Sequence, residues 1–350
     1  MYSLKDLGWC DFFEAQWNEM QGPDLFPARV AEESRGSYVL YSESGEAWAE
    51  LRGRLRHNAP TAAALPAVGD WVLAQNRGSR ATIHHLFARR SKFSRKSAGR
   101  KTEEQIVAAN VDTVLLVSSL NCDFNPRRIE RYLALAWESG ARPFLILNKS
   151  DLCENSAGPA AGAESAAMGV PILITSALRG DGLAELRQLI RKSGTSALLG
   201  SSGVGKSSLV NALLGRDLQP TREVRDNDDR GRHTTTSRQL IVLDGGGLLV
   251  DTPGMRELQL WDSAEGLEHT FADIRELAQL CRFRDCSHTG EPGCAVIASL
   301  DEARLASYHK LAREQGFLAS KQDAALRSER NKAVKRLMKE QRRFYHDHDR

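Results

Sequence analysis

The sequence predicts a multidomain chain: an N-terminal small β-barrel, a central α/β domain on a parallel sheet, and a C-terminal α-helical module gathered around cysteine and histidine. Three observations predict it. Between residues 35 and 100, short β-branched and aromatic runs are separated by Gly, Pro and Asn. Between 101 and 262, apolar runs of strand length alternate with helical periods, which is the pattern of a sheet covered on both faces. From 263 to 350 such runs stop, and cysteines and a histidine crowd together between Cys281 and Cys294. The bulk numbers agree, since 350 residues suit two or three domains, and 41% hydrophobic with 27% charged residues suits a soluble globular chain.

Residues 1–34 read as a leader of uncertain structure. Its start, MYSLKDLGWCDFFEAQW, carries Asp6, Asp11 and Glu14, so it lacks the basic start and apolar core of a secretory signal. No apolar run approaches the roughly 20 residues of a membrane helix. The cytoplasm, no membrane and a monomer are therefore expected. Cys10, Cys122 and Cys153 are scattered and read as reduced thiols.

In the barrel, YVLYS, GEAWAEL, DWVLAQ and ATIHHLF are the strands. An OB-like barrel is the candidate, and the sequence does not separate it from an SH3-like one. Net charge is only +3, but the distribution is uneven. From Arg77 to Lys101 the chain carries many basic residues and no acid. Arg89, Arg90, Lys92, Arg95 and Lys96 are candidate RNA contacts, with Phe87, Phe93, His84 and His85 nearby as rings for stacking. The competing reading is a solvated charged linker.

In the central domain the strands are TVLLVSS, PFLILN, PILIT, SALLG, QLIVL and GLLVD. A helix follows the first, with Ile129, Tyr132, Leu133 and Ala136 on one face, Asn125 as its cap and Pro126 in its first turn. Further helices start after Gly182 and Gly205. The segment Gly200-Ser201-Ser202-Gly203-Val204-Gly205-Lys206-Ser207 matches GxxxxGK[ST] between an apolar strand and an apolar helix that continues from Ser208. Glycines let backbone N–H groups turn inward around phosphate oxygens, and the helix N-terminus adds partial positive charge. Lys206 is expected to reach the β- and γ-phosphates, and the Ser207 hydroxyl to bind Mg²⁺.

Base selection follows from Asn148-Lys149-Ser150-Asp151. Guanine presents N1–H and an exocyclic amine side by side, and one carboxylate, Asp151, accepts both. Adenine offers a lone pair at N1 and no such amine. Asn148 can bond the base edge and nearby backbone, and the Lys149 stem can cover the base plane. Thr175-Ser176-Ala177, at the end of a later strand, brings backbone N–H groups toward the guanine carbonyl. Asp251-Thr-Pro-Gly254 supplies a carboxylate for Mg²⁺, directly or through water, and the Gly254 N–H for the γ-phosphate. One of Thr234, Thr235 and Thr236 completes the Mg²⁺ shell, with Thr235 favoured. A small GTPase ordinarily runs phosphate loop, threonine, DxxG, NKxD, SA. Here NKSD and TSA come first, so the motifs are circularly permuted. Met255 stands where many GTPases place a water-orienting glutamine, and a thioether cannot orient water. His233 is the candidate substitute, against the plainer reading of a loop residue.

Cys281, Cys286, His288 and Cys294 form C-x₄-C-x-H-x₅-C. Three thiolates and one imidazole satisfy tetrahedral zinc and leave no open position, so the expected role is structural. Leu318, Ala325, Leu326, Ala333 and Leu337 fit a loose helical face further on.

Together, the permuted order, GRHTTT, DTPG and the cysteine–histidine cluster resemble the bacterial family called ribosome small-subunit-dependent GTPase A, over nearly the whole chain. The resemblance implies an N-terminal OB-fold, a circularly permuted GTPase domain, and hydrolysis of GTP to GDP and phosphate. It further implies binding to the small ribosomal subunit and its rRNA late in maturation, one structural Zn²⁺, and Mg²⁺ with GTP. Two other readings of the motifs remain: a nucleotide-gated RNA-binding module with little turnover, and a GTPase acting on a non-ribosomal RNA partner.

Overall fold

The structure is a computed structural model that describes residues 2–20, 22–34, 36–96, 104–121, 124–153, 157–215, 238–251 and 264–320. His233, Thr234, Thr235, Thr236, Gly254, Met255 and the helical face beyond residue 320 lie outside the described residues.

Five strands close the barrel: β1 Leu25–Ser34, β2 Ser37–Ser42, β3 Gly45–Leu51, β4 Trp71–Arg77 and β5 Arg80–Leu86. The order is β1-β2-β3-β5-β4, with β4 returning to β1 and β3 running parallel to β5. Its interior holds Ala28, Val30, Leu40, Val72, Ala74 and Ile83. A short helix, α2 Gly53–Asn58, follows β3. The first strand lies within the stretch read as a leader, so the barrel begins before residue 35. Phe26, Ala28 and Val30 face the barrel core, but Pro27, Glu32 and Glu33 break the strand pattern in the sequence. The remaining leader is helical, α1 Asp11–Met20, and its Phe13 joins Leu7, Trp71, Leu73 and Phe87 in a small core beneath the barrel.

The buried Arg29 guanidinium fastens three segments. It donates to the carbonyls of Leu7, of Gly69 at 3.1 Å and of Asn110 at 3.0 Å. Burial pushes its pKa down to about 10, which leaves it charged at neutral pH.

A two-stranded hairpin, β6 Lys92–Lys96 and β7 Glu104–Ala109, connects the barrel to the α/β domain. There the strands are β8 Thr113–Ser119, β9 Arg142–Asn148, β10 Ile172–Ile174, β11 Thr195–Leu199, β12 Arg238–Val242 and β13 Leu248–Asp251. The order β10-β9-β8-β11-β13 is parallel throughout. β12 is antiparallel to β13, contrary to the all-parallel expectation, because residues 243–247 form a tight turn in which the Leu243 N–H donates to the Gly247 carbonyl at 3.0 Å. β12 also pairs with β1 of the barrel, which joins both domains in one eleven-stranded sheet.

Alternating residues of β8 face opposite cores. Val114 and Leu116 meet α3 Pro126–Glu138 and α4 Ala157–Ala167; Leu115 and Val117 meet α5 Leu183–Ser193 and α6 Lys206–Leu214. The α3 cap is as expected, with the Asn125 carbonyl oxygen accepting from the Arg127 N–H at 3.0 Å and the Arg128 N–H at 3.2 Å. The Ala- and Gly-rich α4 gives no periodic signal and was not anticipated from the sequence.

The C-terminal module comprises α7 Ala264–Thr270, α8 Ala272–Ala278, α9 Ala295–Ser299 and a helix over 302–320, called α10. It packs on α3. A Cβ on Gly266 would stand 2.4 Å from the Ala134 carbonyl oxygen, so α7 approaches α3 at a distance only glycine permits.

Candidate nucleotide site and metal centre

Every nucleotide motif among the described residues sits at the C-terminal end of a parallel strand, the edge where open α/β sheets bind ligands. β9 ends at Asn148, β10 leads into Thr175, β11 ends one residue before Gly200, and β13 ends at Asp251. Chain permutation has moved the termini without moving these strand ends.

The candidate phosphate loop, residues 200–207, turns from the end of β11 into α6. Val204 is buried beneath it, and Gly205, at φ +94°, caps the N-terminus of α6. A Cβ at Gly205 would lie 2.4 Å from the Asn148 side-chain nitrogen, so glycine is needed there for both conformation and space. The Lys206 ammonium spans the loop, donating to the carbonyls of Gly200 and Ser201 at 2.6 Å each. Ser201, Ser207 and Ser208 are half-buried, while Ser202 and Gly203 are exposed at the mouth.

Asn148 ties the base-selecting motifs to the phosphate loop. Its amide donates to the Val204 carbonyl at 2.9 Å. Its oxygen accepts from the Thr175 hydroxyl and the Ala177 N–H, both at 3.2 Å. The Asn148 side chain is thus engaged by backbone and neighbour. The Ser176 hydroxyl donates to Asp151 Oδ1 at 2.5 Å and accepts from the Arg179 N–H at 3.0 Å, which fixes the carboxylate. Lys149 takes a left-handed conformation, φ +66°, that turns the chain into the Ser150–Leu152 turn bearing Asp151. Replacing Asp151 with Asn removes a charge-assisted pair worth about 1.5–3 kcal/mol, so GTP affinity should fall roughly 10- to 100-fold. Xanthosine triphosphate should gain, because an amide donates to the carbonyl replacing the guanine amine. Titration with both nucleotides checks this, and unchanged GTP affinity would refute the base-selection argument.

In the C-terminal module, the ligand atoms of Cys281, Cys286, His288 and Cys294 all lie within 4.8 Å of one another. His288 Nδ1 is 3.7 Å from Cys281 Sγ and 3.5 Å from Cys294 Sγ, and those sulfurs are 3.9 Å apart. Zinc bonds of about 2.3 Å to sulfur and about 2.0 Å to nitrogen imply tetrahedral edges of roughly 3.5–3.8 Å, so the group fits the ion. The loop is held by Glu291, whose carboxylate accepts the N–H groups of Ser287 at 2.8 Å, Thr289 at 2.9 Å and Gly290 at 3.1 Å. Led by the Ser287 hydroxyl, these bonds hold it well below the usual carboxylate range. Replacing Cys286 with Ala should release about one metal ion per chain and loosen the loop while nucleotide binding persists. Metal analysis of the unaltered and altered chains checks it, and absence of metal from the unaltered chain would reject the site.

The basic run is divided by the fold. Arg89 is withdrawn from RNA contact: its guanidinium makes a two-pronged pair with the fully buried Asp70 carboxylate at 2.8 and 2.7 Å and donates to the carbonyls of Ala63 and Leu65 at 2.7 and 2.8 Å. Phe87 and Phe93 are core residues, so neither can stack on a base. Their aromatic character reflects barrel packing. Arg90 and Lys92 are exposed and carry surface ion pairs with Asp112 at 3.2 Å and Glu104 at 2.7 Å. The Arg95 guanidinium donates to the Gln105 side chain at 3.1 Å, and Lys96 ends β6.

A family model described as RsgA GTPase matches residues 86–261. "Small ribosomal subunit biogenesis GTPase RsgA" of Opitutus terrae is 47% identical over 347 residues, covering 94% of this chain and 95% of that protein. The chain belongs to the RsgA GTPase family. A protein of the same name from Syntrophotalea carbinolica is 42% identical, covering 99% of both chains. Among solved structures, YjeQ from Thermotoga maritima aligns with a TM-score of 0.62 at 28% identity, over 83% of this chain and 98% of its own. YloQ, described as a circularly permuted GTPase, aligns with a TM-score of 0.60 at 25% identity, over 85% of this chain and 98% of its own. The family match spans the permuted motifs, and the two solved structures extend the likeness to most of the chain.

Two contacts were not anticipated from the sequence. Arg128, in the first turn of α3, donates to Ser201 Oγ of the candidate phosphate loop at 2.9 Å. Arg304, one basic residue in a charged stretch, is buried where the C-terminal module meets α3. No local pattern marks either, because their partners are far away in sequence.

Proposed function

We propose that this chain hydrolyses GTP to GDP and phosphate while bound to the small ribosomal subunit, late in that subunit's maturation, and that the nucleotide state times its release. The observation that carries this reading is the meeting of phosphate loop, NKSD, TSA and Asp251 at one sheet edge, in a chain 47% identical to a small-subunit biogenesis GTPase. The chain works in the cytoplasm as a monomer; among the described residues no helix is long and apolar enough to cross a membrane.

Each residue then has a task. Phosphate charge is met by the N–H groups around Gly203 and Gly205 and by the Lys206 ammonium. Ser207 and Asp251 stand where Mg²⁺ accompanying GTP would be held, with Thr235 assigned the switch position. The ion would supply positive charge that offsets that of the phosphates. Asp151, fixed by Ser176, selects guanine. Cys281, Cys286, His288 and Cys294 hold one structural Zn²⁺, which stiffens a loop too polar to fold on packing alone. Arg90, Lys92 and Arg95 would meet the rRNA phosphates, and Lys96 is assigned the same role from its place in the basic run. The ion pairs of Arg90 and Lys92 are surface pairs of small net worth, readily exchanged for phosphates.

Met255 favours a second reading, a nucleotide-gated binding module with little turnover, since it cannot orient water. Co-sedimentation with purified small subunits tests the timing role. The chain should pellet with a slowly hydrolysed GTP analogue and stay largely in solution with GDP; equal pelleting would contradict it.

A further inference from the structure

We propose that Arg128 is a positioning residue of the phosphate site, and that it makes the loop's geometry depend on the docking of the C-terminal module. The inference rests on reading residues 200–207 as the GTP phosphate loop. It begins with α3, whose first turns carry Arg127, Arg128, Glu130 and Arg131. Three of these hold the module. The Glu130 carboxylate, fully buried, accepts from Arg304 at 2.9 Å and from Arg127. Arg127 also pairs with Asp301 at 2.7 Å, and Arg131 with Glu314 at 2.5 Å. Arg304 in turn forks onto Asp273 of α8 at 2.7 and 2.9 Å and donates to the Thr270 carbonyl at 3.0 Å.

The fourth residue, Arg128, points the other way and donates to Ser201 Oγ. Ser201 is also one of the two residues whose carbonyls receive the Lys206 ammonium. A single residue of the loop therefore joins the α3 guanidinium to the lysine that faces the phosphates. Around Arg128 and Ser201 a small cleft is lined by Val117, Ile129, Tyr132 and Leu145, and the guanidinium spans it to reach the loop. Asn125 and Pro126 fix the start of α3 immediately before, so the guanidinium is presented from a rigid turn. A shift of α3 on its ionic seat would move the Ser201 carbonyl and with it Lys206. This route runs through described residues of α3, the C-terminal module and the 200–207 loop.

The test is single-turnover GTP hydrolysis and GTP affinity of the full chain, without ribosomes and with bound metal verified. Arg128→Ala and Ser201→Ala should each slow hydrolysis about tenfold, the size expected for one charge-assisted contact, while affinity changes less than about threefold. Arg128→Lys should recover part of the rate, since an ammonium can still donate to the hydroxyl. The combined variant should be no slower than either single one, because both remove the same contact. Glu130→Gln, which weakens the seat but keeps an acceptor for Arg304, should slow the unaltered chain and have no further effect on Arg128→Ala. Multiplying effects in either pair, or an unchanged rate in Ser201→Ala, would overturn the proposal even if Arg128→Ala proved unstable. A wild-type chain that binds and hydrolyses GTP alongside an equally active Arg128→Ala would defeat this inference alone. A wild-type chain that does neither would defeat the reading of the site itself.

Discussion

Replacing Lys206 with Ala should reduce GTP hydrolysis by about 10³-fold, the largest effect expected from any single change at this site. An ammonium has three donors. Two are directed at the carbonyls of Gly200 and Ser201 at 2.6 Å each, which holds the charge on the loop proposed to bind phosphate. The alanine variant loses this charge in a site built from backbone dipoles, where no other described side chain of the loop is cationic. The fold should be little affected, since Lys206 is half-buried in the first turn of α6 and the core contacts of that helix come from Leu209, Val210 and Leu213. Thermal unfolding beside single-turnover kinetics separates the two effects. Turnover unchanged within about twofold would place the chemistry elsewhere.

Replacing Arg304 with Ala should release the C-terminal module from α3. The Arg304 side chain is 6% exposed and that of Glu130 is 0% exposed, so the variant leaves a buried carboxylate with Arg127 as its remaining guanidinium partner. Leaving a buried charge with no partner costs about 3–5 kcal/mol, and Arg127, which stays on Glu130, holds the expected loss to the lower end of that range. Arg304 also covers the Phe271 ring at 5.0 Å, and that contact is lost as well. Hydrogen exchange should show residues 264–320 losing protection while the barrel keeps its own. A Glu130→Met, Arg304→Met double variant should recover much of the protection, because it removes the buried charge as well as its partner. Full protection in Arg304→Ala would mean that apolar packing of α7 on α3 holds the module without the ion pair.

The sequence made the nucleotide site legible for a physical reason. Phosphate binding needs glycine at a few fixed offsets and guanine selection needs a carboxylate near a strand end, so the chemistry is written locally. The metal centre is legible in the same way. What the sequence concealed depends on long-range pairing. β1 is hidden because Pro27, Glu32 and Glu33 interrupt the alternation of Phe26, Ala28 and Val30, and its pairing with β12 joins residues some 200 positions apart, for which no periodicity exists. Arg89, Phe87 and Phe93 show the opposite error. They stand in a basic, aromatic run that suits RNA, yet Asp70 and the barrel core claim them. Composition reports what a segment could bind, and burial decides which of its residues are available to do so.

The central claim is that this GTP site works on the small ribosomal subunit, and turnover with purified small subunits, with large subunits and with none tests it most directly. Hydrolysis should be slow alone, since Met255 cannot orient water. Supplying or repositioning a catalytic group raises GTPase rates by about 10³ to 10⁵, and stimulation approaching that range is expected from the small subunit alone. It should weaken as salt rises, because Arg90, Lys92, Arg95 and Lys96 would be exchanging counterions for phosphates. In a His233→Ala variant the stimulation should fall while GTP affinity holds. Equal rates under all three conditions would contradict the account, leaving a guanine-nucleotide site with no tie to the ribosome.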